Sequence, residues 1–320
     1  MARILIVTPA RPGARNGNRH TAYRWAAFLR SAGHRVRIAS EWDDMSCDLL
    51  IALHARRSHA AALAYRRRHP DGPLVVALTG TDLYQDLPAS REARDSLRMA
   101  DRIVVLQSDA KAQLKEFLRP KTRVVYQSSG SALRRAPPDG IFRVVVVGHL
   151  RKVKDPFRTA LALAHVDANL DVVQIGDALE PGYAAQAARH MRRDARYRWL
   201  GGRTHAQALG WIARSHVLVV SSFMEGGANV IAEAARIGTP VLASRMSGNL
   251  GMLGRTYPGY YPLCDEKALA RLIEKCILEK ALFRKLKRAI SARCPLFSPA
   301  AEHAALARVV NEALRVKFSP

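Results

Sequence analysis

A short apolar run, a glycine pair and a helix-like segment follow one another between positions 217 and 243. The β-branched run Val217 to Val220 has the length of a buried strand, and Val241 to Ala243 has the character of another. Between them, Asn229 is the predicted N-cap of a helix and Gly238 its left-handed C-terminal residue. This order predicts a strand, loop, helix, strand unit with two parallel, neighbouring strands, which places the chain in the α/β class.

The glycine pair, Gly226 and Gly227, lets the backbone approach a ligand where the first N–H groups of the predicted helix lack partners and the helix dipole is positive. Such a place favours an anion. Glu225 precedes the pair and Glu233 lies one turn into the helix, and carboxylates accept hydrogen bonds from sugar hydroxyls. A ligand that has both phosphate groups and sugar hydroxyls, such as a sugar nucleotide, would use both kinds of contact. From the spacing alone, an ordinary glycine-rich turn between two solvated glutamates is an equal alternative.

Glu225 and Glu233, followed by Gly238-Thr239-Pro240-Val241, resemble the E-x7-E signature of the retaining glycosyltransferases of family 4. The resemblance implies the GT-B fold, in which two Rossmann-like domains with parallel sheets face a central cleft. It also implies that Glu225 contacts the donor sugar as a catalytic residue and that Glu233 holds the ribose hydroxyls of the nucleotide. The other residues predicted to bind the donor are Gly148, His149, Gly226, Gly227, Ala228 and Asn229.

The segment Gly148 to Pro156 follows a predicted strand, where the family commonly has Gly-Arg-Leu and, a few residues later, a lysine. In the family, the arginine and the lysine hold the diphosphate. Lys154 matches the lysine, His149 replaces the arginine, and Arg151 is predicted to supply the missing charge. We therefore predict Lys154 and Arg151 as catalytic residues that stabilise the leaving nucleotide, although a solvated basic turn is the plain alternative.

A long polar loop follows the first predicted strand, Ile4 to Val7, at the edge where open α/β sheets bind ligands. Arg11 and Arg15 lie in this loop before a helix predicted over residues 21–32. The loop predicts a second anion site, and a mobile basic loop is the alternative. His54, at the end of the third predicted strand, has either a structural or a ligand-binding role. The predicted acceptor-binding residues are Gly17, Asn18, Arg19, Thr21, Thr79 and Gly80.

Relatives in the family often have His-Gly-Thr-Asp where this chain has Thr79 followed by Gly-Thr-Asp, so the role of that histidine is not transferred. One branch of the family, the selenosugar synthases of selenoneine biosynthesis, resembles this chain at several places. They are the string that begins at Thr79, Thr8-Pro9-Ala10 and the segment after Gly148. The resemblance implies a reaction between selenophosphate and a UDP-sugar, typically UDP-N-acetylglucosamine, that gives a selenosugar, UDP and phosphate. A selenium nucleophile needs no strong general base. The alternative is a conventional glycosyltransferase with a hydroxyl acceptor on a lipid or small molecule.

Two breaks of regular structure, Pro137-Pro138 and Asp139-Gly140, divide a chain that is long enough for two cores. We predict an N-terminal acceptor domain over residues 1–135 and a C-terminal donor domain over residues 136–298. From the resemblance, a final helix within residues 299–320 crosses back onto the first domain. Helices are also predicted over residues 108–118 and 266–288. Residues 244–250 are predicted as a polar loop that contacts the pyrophosphate.

The 320 residues include 51 lysines and arginines against 27 acidic residues, a net charge of +24. This balance indicates anionic partners or a solvated basic surface, and it alone suggests a nucleic-acid binder, for which no recognition motif is visible. The four cysteines have neither metal nor C-x-x-C spacing, and no apolar run has the length of a membrane span. We therefore expect a soluble cytoplasmic enzyme with two small-molecule substrates and no stable membrane association. No metal or other cofactor is expected.

Overall fold

The computed structural model describes residues 1–9, 17–80, 82–130, 133 and 135–316. The chain folds into two compact units, each of which packs mainly against itself. One unit is Met1–Gln127 with Pro299–Pro320, and the other is Ser128–Ser298. The predicted boundary between residues 135 and 136 therefore lies inside the second unit.

The strands of the first unit form one parallel sheet of the described residues, in the order β2-β1-β3-β4-β5-β6. Those of the second unit form another, in the order β12-β11-β10-β7-β8-β9. Their bounds are β1 (Arg3–Val7), β2 (Arg35–Ala39), β3 (Leu49–Leu53), β4 (Leu74–Leu78), β5 (Arg102–Val105), β6 (Thr122–Val124), β7 (Phe142–Val147), β8 (Leu170–Ile175), β9 (Tyr197–Trp199), β10 (Val217–Val220), β11 (Val241–Ser244) and β12 (Tyr260–Tyr261).

Helices connect these strands, as a parallel sheet requires. They are α1 (Gly17–Ser31), α2 (His59–Arg68), α3 (Leu87–Ala89), α4 (Arg91–Met99), α5 (Arg158–Ala162), α6 (Tyr183–Arg193), α7 (His205–Ala213), α8 (Asn229–Ile237), α9 (Ser247–Leu253), α10 (Glu266–Leu278), α11 (Lys280–Arg293) and α12 (Pro299–Val316). The predicted α/β class is confirmed. The unit around the glycine pair is also confirmed, because β10 and β11 are parallel neighbours joined by α8.

The central strands are buried on both faces, which explains their nearly continuous apolar sequences. All five residues of β3 and of β4 are buried. In the first unit, α12 returns to pack beside α1 over the same sheet, where Leu306 and Val310 join the core around Trp25. Glu302 is buried where these helices meet and accepts a hydrogen bond from the Trp25 indole at 2.9 Å.

Some sequence expectations for local structure are wrong. The first helix begins at Gly17, one turn before the predicted start near Thr21. The single helix expected over residues 108–118 is a pair of 3-10 turns, because the chain is extended at the buried Leu114. The polar loop expected over residues 244–250 contains the start of α9, with Met246 at its N-cap.

The helix expected over residues 266–288 is two helices, separated at Glu279, whose backbone is not helical. Among the described residues, no helix combines the length and the apolar composition that crossing a bilayer requires.

Candidate functional site

The sheet of the second unit reverses its direction of growth beside β7. From β7 the chain adds β8 and β9 on one side, and it then returns to add β10, β11 and β12 on the other. Ligands of open α/β sheets bind at such a switch point, outside the carboxyl ends of the strands. The segments that leave the carboxyl ends of β7 and β10 therefore define the candidate site. They are residues 148–155 and 221–228.

An ion pair joins these two segments. The Nζ atom of Lys154 lies 2.5 Å from Oε1 of Glu225, and the hydroxyl of Ser222 donates to the same oxygen at 2.6 Å. Glu225 is 9% exposed, whereas a third of the Lys154 side chain is exposed. The switch point thus holds a cation, suited to a phosphate, beside a carboxylate, suited to a sugar hydroxyl.

The backbone of the Lys154 segment is tied to the end of β10. The hydroxyl of Ser221 donates to the carbonyl oxygen of Asp155 at 2.7 Å and to that of Lys154 at 3.1 Å. Asp155 has a left-handed backbone, with φ of 44°. These contacts fix the position from which the lysine reaches Glu225.

The amino end of α8 lies directly after this pair. Its N-cap is Ala228, with an extended backbone, and Asn229 is the first helical residue, so the predicted N-cap role of Asn229 is wrong. No side chain caps the helix. Gly226 and Ala228 are buried, Gly227 is half-buried and Asn229 is exposed. The uncapped N–H groups and the positive end of the helix dipole provide contacts that an anion can use.

Glu233, in the second turn of α8, is 8% exposed and lies against His205, the first residue of α7. Oε1 of Glu233 is 2.9 Å from Nε2 of His205. This hydrogen bond raises the pKa of His205 above its ordinary value. The sequence did not indicate His205. The capping box of Thr204 and Gln207 marks the start of α7, but nothing in the local pattern connects it with Glu233.

A second layer supports Glu225 from behind. A Cβ atom on Gly248 would lie 2.2 Å from the carbonyl oxygen of Glu225, so only glycine allows α9 to approach this closely. The side-chain amide of Asn249 donates to the carbonyl oxygen of Ser244 at 2.9 Å, and the Ser244 hydroxyl donates to that of Ser222 at 2.7 Å. The sequence indicated this segment only as a polar loop near the pyrophosphate.

The predicted donor residues after β7 are not all brought to the same place. Gly148 lines a small cavity together with Lys154 and Glu225. His149 is turned toward β8, because its Nδ1 accepts from the backbone N–H of Asp177 at 3.1 Å. The side chain of Arg151 is exposed and forms no hydrogen bond or ion pair with the described residues, and it does not line this cavity.

Gln174 on β8 also lines the cavity at the switch point. Its side chain is 1% exposed, and its Oε1 has no hydrogen-bond partner among the described residues. A buried glutamine within the apolar strand Leu170–Ile175 was the available sequence signal, and it was missed. Gln174 thus adds a free acceptor to the lysine and carboxylate.

Residues predicted for the acceptor lie at the corresponding edge of the first unit. Thr79 and Gly80 follow β4, and their N–H groups donate to the carboxylate of Asp82 at 3.2 and 2.8 Å. Asp82 is fully buried and also accepts from the N–H of Ala55, after β3. His54, at the end of β3, is buried with a left-handed backbone. Asp82 therefore holds the loops after β3 and β4 together.

The remaining acceptor predictions lie in the first turn of α1. Gly17 is exposed and Asn18 half-buried, and the guanidinium of Arg19 lies 5.1 Å from the ring centre of Tyr23. The Thr21 hydroxyl is buried and occupied, since it donates to the carbonyl oxygen of Gly17 and accepts from Gln127. Arg11, Arg15 and Thr81 lie outside the described residues.

In the parts of the chain that the structure describes, no three histidine, cysteine, aspartate or glutamate side chains are grouped closely enough to hold a metal ion. At the switch point, the ammonium of Lys154 and the amino end of α8 are positive groups that a ligand can contact.

The sequence of the second unit matches a known family. Residues 134–293, half of the chain, match the family described as glycosyl transferases group 1. The chain belongs to the group 1 glycosyltransferases. It is 29% identical over 185 residues to the D-inositol 3-phosphate glycosyltransferase of Corynebacterium glutamicum (strain R). This alignment covers 53% of the chain and 43% of that relative, so the chain matches less than half of the curated protein's length.

Solved structures share the fold of this chain. Anabaena HepE, crystallised in complex with UDP, aligns with a TM-score of 0.80 at 17% identity, over 97% of this chain and 100% of that one. Sucrose-phosphate synthase from Thermosynechococcus elongatus aligns with a TM-score of 0.79 at 17% identity, over 97% and 98% of the two chains. At this identity the likeness establishes the fold, which is the GT-B fold of glycosyltransferases.

Proposed function

We propose that this chain is a glycosyltransferase that transfers the sugar of a UDP-sugar, UDP-N-acetylglucosamine by preference, to selenophosphate. The observation that carries the donor half is the Lys154–Glu225 pair at the switch point of the second unit. The acceptor half depends on the sequence resemblance to selenosugar synthases and on the residues at the edge of the first unit.

In the donor half, Lys154 and the uncapped amino end of α8 bind the diphosphate, and Glu225 accepts a hydrogen bond from the sugar. Glu233 accepts from the ribose hydroxyls, and its contact with His205 keeps the carboxylate in place. Positive charge beside the diphosphate lowers the barrier to departure of UDP, because negative charge develops on the leaving oxygen. Arg151 adds charge from the same turn. Anabaena HepE, which shares the fold, was crystallised with UDP and with UDP-glucose, in keeping with this assignment.

In the acceptor half, selenium attacks the anomeric carbon, forming the carbon–selenium bond as the bond from that carbon to the UDP oxygen breaks. Water then cleaves the selenium–phosphorus bond of the glycosyl selenophosphate, giving the selenosugar and phosphate. Selenophosphate carries its charge into the site and is a soft nucleophile, so no base need remove a proton. Thr79, where relatives have histidine, and the basic Arg19 agree with such an acceptor.

The second candidate is transfer to a hydroxyl group of a phosphorylated small molecule or lipid. The name of the curated relative, a D-inositol 3-phosphate glycosyltransferase, favours it, because that protein acts on a phosphorylated polyol. Basic residues on the first unit serve either acceptor equally well.

The test is UDP release from UDP-N-acetylglucosamine, measured with and without freshly prepared selenophosphate, with mass analysis of the sugar product. We expect release that depends on selenophosphate and a product containing selenium. Release that instead requires a hydroxyl acceptor such as D-inositol 3-phosphate overturns the acceptor assignment and leaves the donor assignment standing. The same assay in a chelator should retain activity, because Lys154 and the helix end replace the charge of a metal ion.

Single substitutions test the donor and acceptor assignments independently of each other. We expect Glu233→Ala to weaken UDP binding by about tenfold in calorimetry, a typical cost of losing a charged hydrogen bond. Arg19→Ala should leave UDP binding unchanged and raise the KM for selenophosphate. If the KM for selenophosphate stays the same in Arg19→Ala, Arg19 is not an acceptor residue.

A further inference from the structure

A second cavity lies in the second unit, at the end of the sheet opposite to the candidate donor site. Its volume is about 480 Å³, and its wall includes His216, just before β10, and Pro240, just before β11. The cavity is therefore at the amino ends of these strands, whereas Glu225 follows the carboxyl end of β10. Helix α8 links the two places: it begins at Asn229 in the donor site and ends at Ile237 in the cavity wall.

The charged side chains of the cavity wall are all positive. Arg135, Arg236 and Lys287 line it, and no aspartate or glutamate does. Among the described residues, none of these three side chains forms an ion pair. By contrast, Arg143, which lies nearby, is held by Asp171 at 3.0 Å. The three cations are thus collected around one space without a counter-charge.

The guanidinium of Arg236 is poorly satisfied. Its Nε atom is buried and has no hydrogen-bond partner in the described structure, and its Nη1 contacts only the sulfur of Cys294, at 3.4 Å. Sulfur is a weak acceptor. Leaving a guanidinium donor buried and unpaired is costly, so proteins usually provide a partner. Arg236 also lines the cavity, where an anion can contact its guanidinium group.

Neighbouring groups report the same positive potential. The pKa of His216 is lowered by burial and further by the charges of Lys287 and Arg143. The pKa of Arg214, whose guanidinium stacks 4.1 Å from the Trp211 ring centre, is lowered by burial and by Arg135 and Arg143. The acidic neighbours are few: Asp171 is already paired with Arg143 and Arg198, and Asp139 acts on His216 only as the weakest of its influences.

We propose that this cavity is a binding site for a phosphorylated small molecule, separate from the donor site. Arg236, Lys287 and Arg135 bind the phosphate groups, and the apolar wall that includes Phe283 and Ile237 contacts the organic part. The volume is in the range of small-molecule sites in proteins, about 300–1,000 Å³. Arginine forks and a lysine are the usual partners of phosphate.

The test is calorimetric titration of the full chain with inorganic pyrophosphate, in a Lys154→Gln background that weakens the donor site. In this background we expect one remaining binding event. Arg236→Gln with Lys287→Gln should weaken it by at least about tenfold, since two charged contacts are lost. The matched control is Arg284→Gln with Lys285→Gln. It also removes one arginine and one lysine charge, but from positions of α11 outside the cavity wall.

Equal affinity in the cavity variant and its control overturns the proposal, as does the absence of pyrophosphate binding in the Lys154→Gln background. Should the double variant fail to fold, Arg135→Gln provides the second test, because this exposed residue supports no core. It should weaken pyrophosphate binding about threefold, and unchanged binding contradicts the site. UDP binding by the chain with Lys154 intact tests the donor assignment separately.

Discussion

Glu225 owes its position to contacts with other segments. Lys154 reaches it from the turn after β7, Ser222 donates to it from its own loop, and Gly248 lets α9 pass directly against its carbonyl oxygen. A buried carboxylate with two hydrogen-bond donors is held in one orientation, which is what recognition of a single ligand group requires.

Gly248→Ala tests this support. Its Cβ atom would lie 2.2 Å from the carbonyl oxygen of Glu225, so the loop must move. We expect a destabilisation of about 1–3 kcal/mol and a fall in kcat of at least about tenfold, measured by urea unfolding and by UDP release. The matched control is Gly210→Ala in α7, where the added Cβ meets nothing closer than 3.9 Å. There we expect unchanged activity and equal or higher stability. Equal effects of the two substitutions would remove the role of Gly248.

The contact between His205 and Glu233 makes the stability of the folded protein depend on pH. Because Glu233 raises its pKa above 6.5, the hydrogen bond stabilises the folded protein below about pH 6.5, and this contribution is lost as the pH rises through the raised pKa. We expect Glu233→Gln to return the pKa of His205 toward 6.5 in an NMR titration and to remove that part of the pH dependence of unfolding. The control is Glu41→Gln, which replaces an exposed carboxylate in the first unit. A His205 titration unaffected by Glu233→Gln would contradict the contact.

At the scale of elements, α12 shows how a distant segment completes a core. The helix lies more than 170 residues after β6 in the chain, yet Leu306, Val309 and Val310 are buried with the residues of α1 and the first sheet. The buried Glu302 accepts from Arg24 and Trp25, which fixes the helix in register. The first unit therefore depends on the last helix for its stability.

Leu306→Ala should destabilise the protein by about 2–5 kcal/mol, the usual cost of emptying a fully buried leucine site. Arg308→Ala, on the outer side of the same helix, should change the stability by less than about 0.5 kcal/mol. Both values come from urea unfolding followed by circular dichroism. A small effect of Leu306→Ala would mean that α12 contributes little to the core of the first unit.

Some strands and helices can be predicted from the sequence more clearly than others. Strands β3, β4 and β10 were predictable because a strand buried on both faces must be apolar throughout. The start of α1 and the break at Glu279 were not, since the surrounding residues are compatible with either a helix or a turn. Tertiary contacts decided those boundaries.

At the scale of the whole molecule, the net charge of +24 gives the chain a positive potential. Anionic ligands are therefore attracted before they make specific contacts. We expect kcat/KM for UDP release to fall several-fold when sodium chloride is raised from about 20 to about 200 mM, because the screening length shortens to under about 10 Å. A neutral osmolyte that gives the same viscosity should have no such effect. A rate independent of salt would show that the excess charge plays no part in substrate capture.

The sequence by itself determined the α/β class, the parallel unit around the glycine pair and the spacing of Glu225 and Glu233. These follow from local physics: apolar runs form strands, and glycine ends helices. The left-handed Gly238 at the end of α8, with φ of 93°, is an example.

Only the tertiary structure decided which groups meet. Lys154 lies 71 residues before Glu225, and His205 lies 28 before Glu233, so no local pattern joins them. Thr21, a predicted acceptor residue, has its hydroxyl bonded to Gly17 and to Gln127, which lies 106 residues further along the chain. The positive cavity brings together Arg135, Arg236 and Lys287 from three separate segments. The order of the strands sets such distances, and the sequence encodes that order only through the packing of the entire chain.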